Sequence, residues 1–196
     1  MMNLKVIGLA GFFGIVAPLF GLLIIISSIL LAPWFSWTGN ALSDLGGTNG
    51  FGAVVFNSGL AMTGALMMMF STGLFELTKG DVVGQVGSVV YLLSAILLIA
   101  IGVVNITIEP WHLYVSIGFF VALPLSAILT GIFCFRKKMR FYTLLSLGTA
   151  VLAAVIWILP WSAVAIPEAL SVAYLGVWQI LLGYWMYKRV DGKSEG

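Results

Sequence analysis

The stretch Phe135-Arg136-Lys137-Lys138-Met139-Arg140 places four of the chain's nine basic residues between two apolar runs, about Leu113–Phe135 and Phe141–Leu159. Each run is long enough to cross a hydrocarbon core about 30 Å thick, which takes roughly 20 apolar residues in a helix. The pattern therefore reads as two membrane helices joined by a basic turn. Four more runs of the same kind lie outward from this turn, at about Val6–Leu31, Val54–Phe75, Val83–Ile106 and Ala169–Tyr187. Gly, Pro, Trp, Asn or charged residues separate them, the usual punctuation between helices. The first run is too long for the apolar region of a signal peptide and has no small-residue cleavage motif, so it reads as a retained first helix. The expected fold class is all-α: one polytopic membrane bundle of six transmembrane helices, a single domain over residues 1–196.

The remaining basic residues test that count. Lys5 precedes the first run, Lys79 lies between the second and third, and Lys188, Arg189 and Lys193 follow the sixth. In a six-span chain all nine fall on one side, and a wrong count would scatter them over both. The positive-inside rule makes that side cytoplasmic, with the N- and C-termini on it. Composition agrees. Hydrophobic residues are 61% of the chain and charged residues 8%, against about 25% charged in soluble domains. A net charge of +2 is too small to argue for nucleic acid as a partner. The single cysteine, Cys134, excludes an intramolecular disulfide and reads as a small buried hydrophobe.

Each loop on the other side carries a Pro-Trp pair: Pro33-Trp34, Pro110-Trp111 and Pro160-Trp161. Proline bounds a helix and tryptophan anchors at headgroup depth. Small residues four apart, Ala10 and Gly14, Ala17 and Gly21, and Gly118, Ala122 and Ser126, offer smooth faces for close helix approach on helices one and four. Pro18 is expected to kink helix one. Asn57, Thr63, Asn105, Thr130 and Gln179 are expected to face inward and bond from helix to helix.

Candidate chemistry gathers on the outer face. Its loops hold Asp44, Glu109, His112 and Glu168, and His112 is the only histidine. Two carboxylates and an imidazole can share acid-base work or bind a metal. The catalytic candidates are Asp44, His112 and Glu109, with carboxylates orienting the imidazole. Ser43, Asn57, Asn105 and Glu168 are the ligand-binding candidates. A plainer account exists for each. Outer loops avoid Lys and Arg, so their charge is acidic by default; Glu109 and Glu168 also flank prolines, where a helix N-terminus favours an acid. No H-E-x-x-H, nucleophile elbow or phosphate loop occurs. No organic cofactor is implied, and the pattern leaves open whether any metal binds. In Asn40-Ala41-Leu42-Ser43-Asp44-Leu45-Gly46-Gly47, Asn40 is placed to cap a short interfacial helix and Gly46 to end it in the left-handed conformation.

Gly14 and Pro18, then Ser43, Leu45 and Gly46, then Asn57 and Gly59 carry a resemblance. The chain resembles the uncharacterised prokaryotic membrane family called domain of unknown function 998 over nearly its whole length. Its first outer loop is also similar, more distantly, to that of the six-span damage-regulated autophagy modulators and their GPI-anchor-remodelling relatives. That second resemblance implies membrane lipid as the ligand class. The leading expectation is an outward-facing lipid-binding or lipid-modifying site. The alternatives are a scaffold or accessory subunit with a membrane-protein partner, and a small transporter or homo-oligomeric channel.

Overall fold

A computed structural model describes residues 3–191, and every regular element in them is helical. Six long helices run in chain order: α1 Leu4–Leu30, α2 Phe51–Leu77, α3 Val82–Val103, α4 Trp111–Arg136, α5 Arg140–Val155 and α6 Ala165–Asp191. Short 3₁₀ turns follow α1, at Leu42–Gly46, and α5, at Ile156–Ile158. All six helices are long and apolar enough to cross a membrane, the fifth when counted with its 3₁₀ extension to Ile158. The chain is an integral membrane protein built as an all-α bundle.

Each helix packs against its neighbours in sequence, and α1 closes on α6, which makes a ring. The ends of this ring differ. At one, the backbone N of Asn3 before α1 donates to Glu76 of α2 at 2.6 Å, and Arg136 of α4 pairs with Asp81 at the start of α3 at 3.4 Å. Lys5, Lys79, Lys137, Lys138, Arg140, Lys188 and Arg189 belong to the same end, because they flank these helix termini or those of α5 and α6. Lys193 lies outside the described residues. Asp81 caps α3 by accepting from Gly84 N at 3.0 Å. That bond, aided by Arg136 and Lys137, holds its carboxyl below the ordinary carboxylate value, against the raising effect of partial burial.

The α1–α6 seam depends on glycine. A Cβ on Gly11 would stand 2.5 Å from the Gly183 carbonyl oxygen, and one on Gly183 would stand 2.8 Å from that of Gly11. The two backbones are in contact, which is how helices associate where lipid supplies no hydrophobic drive. Ala10, Gly14, Ala17 and Gly21 are all buried on this helix, as their spacing anticipates, and α1 runs through Pro18 as one helix.

The ring is filled by aromatic residues. Tyr91 of α3 lies edge-on to Phe70 of α2 at 5.3 Å between centroids and is tilted against Trp178 of α6 at 6.0 Å. Trp178 donates its indole N–H to Ser146 at 2.8 Å, and Tyr91 donates its hydroxyl to the Gln179 side-chain oxygen. Gln179 thus bonds between helices as anticipated. Thr63 does not: it is buried, but its hydroxyl returns to the Gly59 carbonyl of its own turn at 2.8 Å. A threonine hydroxyl reaches that carbonyl without any partner helix. Cys134 is fully buried, as a small hydrophobe should be.

Candidate functional site

At the end of the ring away from the basic residues, the first loop folds back over the bundle. Asp44 does not project from it. Its Oδ2 accepts from the backbone N of Ala41 at 2.9 Å and from the Asn40 side chain at 3.0 Å. Ala41, not Asn40, is therefore the cap of the 3₁₀ turn, because Asp44 reaches back three residues to serve its N–H. Asn40 works one step earlier, accepting from Ser36 N at 2.9 Å. Gly46 is not left-handed either. It is the last residue of the turn, and Gly80 is the sole glycine with positive φ among the described residues. Its need for glycine is spatial: the side-chain oxygen of Asn57 occupies the place a Cβ would take. Asn57 donates to the Gly46 carbonyl at 3.0 Å, while that side-chain oxygen is buried without a partner.

The loop is tied to α6 by two bonds of opposite sense. Glu168 in the first turn of α6 accepts from Leu42 N at 2.6 Å, and Ala165 N donates to the Asn40 carbonyl at 3.1 Å. Glu168 is 8% exposed, a carboxylate taken almost wholly out of solvent. The loop between α3 and α4 is tied in the same way. His112, buried in the first turn of α4, places Nδ1 2.6 Å from the Val104 carbonyl oxygen at the end of α3. A carbonyl can only accept, so Nδ1 carries a proton, and in that tautomer of the neutral ring it is Nε2 that has the lone pair. Ser116, one turn along α4, lies 3.3 Å from that Nε2 and is placed to donate to it. The group that orients the imidazole is thus a backbone carbonyl and not one of the carboxylates anticipated for that role. Asn105 closes its own turn, accepting from Thr107 N at 3.0 Å and from the Thr107 hydroxyl at 2.6 Å.

Between these ties opens a pocket of about 600 Å³. Ser43, Glu109, His112, Ser116 and Glu168 line it at the mouth. Below them the outward face of α4, from Leu113 through Ile117, Val121 and Leu125 to Ile128, forms one apolar wall of a trough. The opposite wall is the end of α5, where Ala153 and Ala154 leave room and Trp157 meets Phe120 edge-on at 5.0 Å. The gap has a structural cause. The α-helical part of α5 stops at Val155, where a 3₁₀ turn follows, and α4 barely touches α6. Leu113, Ile117 and Val121 are at least half exposed, so the trough is open along the side of the bundle that faces lipid.

Ser43, Glu109, His112 and Glu168 therefore share one pocket, with Glu109 exposed on its rim. Asp44, Asn57 and Asn105 do not line it; they serve the loops. Among the described residues no three of His, Cys, Asp and Glu come close enough together to hold a metal ion.

A family model described as protein of unknown function (DUF998) matches residues 15–185, from the second third of α1 to the last turns of α6. The chain belongs to the DUF998 family. No curated protein and no solved structure matches it.

The matched span of this DUF998 protein contains the whole pocket. Ser116, Phe120 and Trp157 line the pocket too and are not among the candidates from the sequence. A signal for Ser116 was present, since residues four apart share a helix face and Ser116 follows the only histidine by four. Its hydroxyl is also used unusually. Ser28, Ser58, Thr63, Ser88 and Ser146 return theirs to a carbonyl of their own helix, whereas Ser116 is turned to the imidazole.

Proposed function

We propose that this DUF998 protein binds a membrane lipid in the pocket, with the headgroup among the polar residues of the mouth and a hydrocarbon chain along α4. The single observation behind this reading is the continuity of a polar mouth with an apolar trough that opens sideways. Small-molecule sites are mostly apolar, run to about 300–1,000 Å³ and carry a few convergent polar groups. A lateral opening suits a ligand that arrives from the bilayer. By the positive-inside rule, the mouth belongs to the outer leaflet and both termini to the cytoplasm of a cell membrane.

Ala154→Trp tests it. Ala154 lines the trough and is exposed, so a larger side chain there fills the groove without entering the core. Lipid retained by the purified protein, read by native mass spectrometry, is expected to fall about tenfold or more, the equivalent of at least about 1.4 kcal/mol. Unchanged lipid retention in a folded Ala154→Trp protein would remove the reading.

The contact of Ser116 with His112 favours a lipid-modifying version. A hydroxyl on the free nitrogen of a held imidazole is the arrangement of a nucleophile and its base. Ser116 Oγ attacks an ester carbonyl carbon as its proton passes to His112 Nε2. The adduct then expels the alkoxide, which takes that proton back, and water later hydrolyses the acyl-Ser116 ester. A fluorophosphonate probe is expected to label the wild type at Ser116, and neither Ser116→Ala nor His112→Ala. A wild type that resists the probe leaves binding alone.

A further inference from the structure

We infer that the amphiphile taken by this pocket carries a protonated amine at its head, not a phosphate or carboxylate. The inference rests on the lipid-binding reading above and adds the class of headgroup. It follows from which groups reach the mouth and which do not. Glu168 is buried there with one oxygen held by Leu42 N, and its Oε1 accepts no hydrogen bond among the described residues. Glu109 stands on the rim, and Ser43 is a further lining residue. His112 lines the same space, and with its Nε2 taken up by the Ser116 hydroxyl it leaves the oxygen of Ser116 to accept there. The carboxyl oxygens accept, the two serine hydroxyls can accept as well as donate, and the acids among these groups bring negative charge when ionised.

No cationic side chain is at hand. Every Lys and Arg among the described residues belongs to the other end of the ring. Along α4 alone, the 25 steps from Trp111 to Arg136 span about 37 Å at about 1.5 Å per residue. An anionic head entering here would lose its hydration beside a buried carboxyl and meet no cationic side chain. It would gain only the partial positive charge of the α4 and α6 N-termini, where the N–H groups of His112, Ala165 and Glu168 are already bonded. An ammonium reverses each term. It has three donors and no acceptor, so it can serve Glu168 Oε1 and two further acceptors at once. Its charge would also hold Glu168 as a carboxylate, where burial by itself disfavours the charged form. The trough sets the tail. From Leu113 to Ile128 it follows roughly 22 Å of helix, the 15 steps of about 1.5 Å each, along a single groove.

The test is a competition in nanodiscs of neutral lipid. Equimolar tetradecylamine, tetradecanol and tetradecyl phosphate are offered to the whole chain, and bound adducts are resolved by native mass spectrometry; butylamine is offered separately. The amine is expected to exceed both competitors about tenfold or more, as one charge-assisted hydrogen bond allows. Glu168→Gln is expected to erase that preference while tetradecanol still binds, because the Gln carbonyl oxygen can accept from Leu42 N as the carboxylate does. Glu109→Gln, an exposed rim residue with no part in the fold, is expected to weaken the preference and serves if Glu168→Gln folds poorly. Butylamine is expected not to bind, which marks a membrane amphiphile and not a dissolved cation as the source. Phosphate or alcohol bound as well as the amine, or a preference indifferent to both substitutions, overturns the inference while leaving lipid binding intact. Butylamine bound as tightly as tetradecylamine overturns its membrane source. Adducts that Ala154→Trp fails to reduce instead defeat the lipid-binding reading itself.

Discussion

A Gly183→Val chain is expected to lose most of its folded population in mild detergent, because α1 and α6 can no longer meet. The first added carbon would lie 2.8 Å from the Gly11 carbonyl oxygen and 3.0 Å from Gly14 Cα. Both obstacles are backbone, so no rotamer change relieves them. Overpacking a core costs about 1–3 kcal/mol when side chains can adjust, and more where the backbone must shift. Lipid offers no compensating drive, since apolar helices gain little by leaving it. The seam also closes the ring, so its loss loosens α6 and, through Glu168 and Ala165, the loop that roofs the pocket. Thermal unfolding in detergent, followed by size-exclusion chromatography, reads the effect. Gly148→Ala is the control. Gly148 is exposed on α5 with nothing within 4 Å of an added Cβ, and the change is expected to stabilise by about 0.5–1 kcal/mol through helix propensity. A Gly183→Val protein as stable as the Gly148→Ala one would mean that the two backbones do not touch.

The spans were legible in the sequence because the signal for them is local. Whether Leu113–Phe135 can lie in hydrocarbon depends on those residues alone, and the observed α4 at Trp111–Arg136 differs from the expected run only at its ends. The gathering of Lys and Arg at one end is likewise a property of spacing. The pocket is a different kind of object. It exists between α4 and the end of α5, where the fifth helix turns 3₁₀ at Ile156 and α6 barely reaches α4. Hydropathy registers only a continuous apolar run there, to Leu159.

The acids make the same point more sharply. Asp44 and Glu168 both lie in loops or helix starts, and no local rule separates their fates. Asp44 finds donors three and four residues away and folds its own loop. Glu168 finds its donor 126 residues away at Leu42. Only the second arrangement buries a carboxylate beside a cavity, and only the tertiary fold produces it. His112 follows suit: one turn of α4 supplies Ser116, but the carbonyl that sets its tautomer comes from α3.

Glu168→Leu is expected to be the most damaging change at the mouth, and Glu168→Gln to be mild. Leucine matches the volume poorly, but the larger loss is electrostatic. The Leu42 N–H is buried, and without the carboxylate it has no acceptor. A buried donor left unmade costs about 1–3 kcal/mol, and bonds to charged groups lie toward the upper part of that range. A destabilisation of about 2–3 kcal/mol is therefore expected for leucine. Glutamine retains an acceptor and should lose less than half as much. Hydrogen exchange locates the effect: the Leu42 amide should exchange much faster in the leucine protein, while amides at the centre of α3 near Tyr91 remain protected. Equal protection at Leu42 in all three proteins would show that the bond does not hold the loop. The comparison also divides the two duties of this side chain. Oε2 carries the loop, whereas Oε1 accepts no hydrogen bond among the described residues, so the fold needs an acceptor at this position but not a charge.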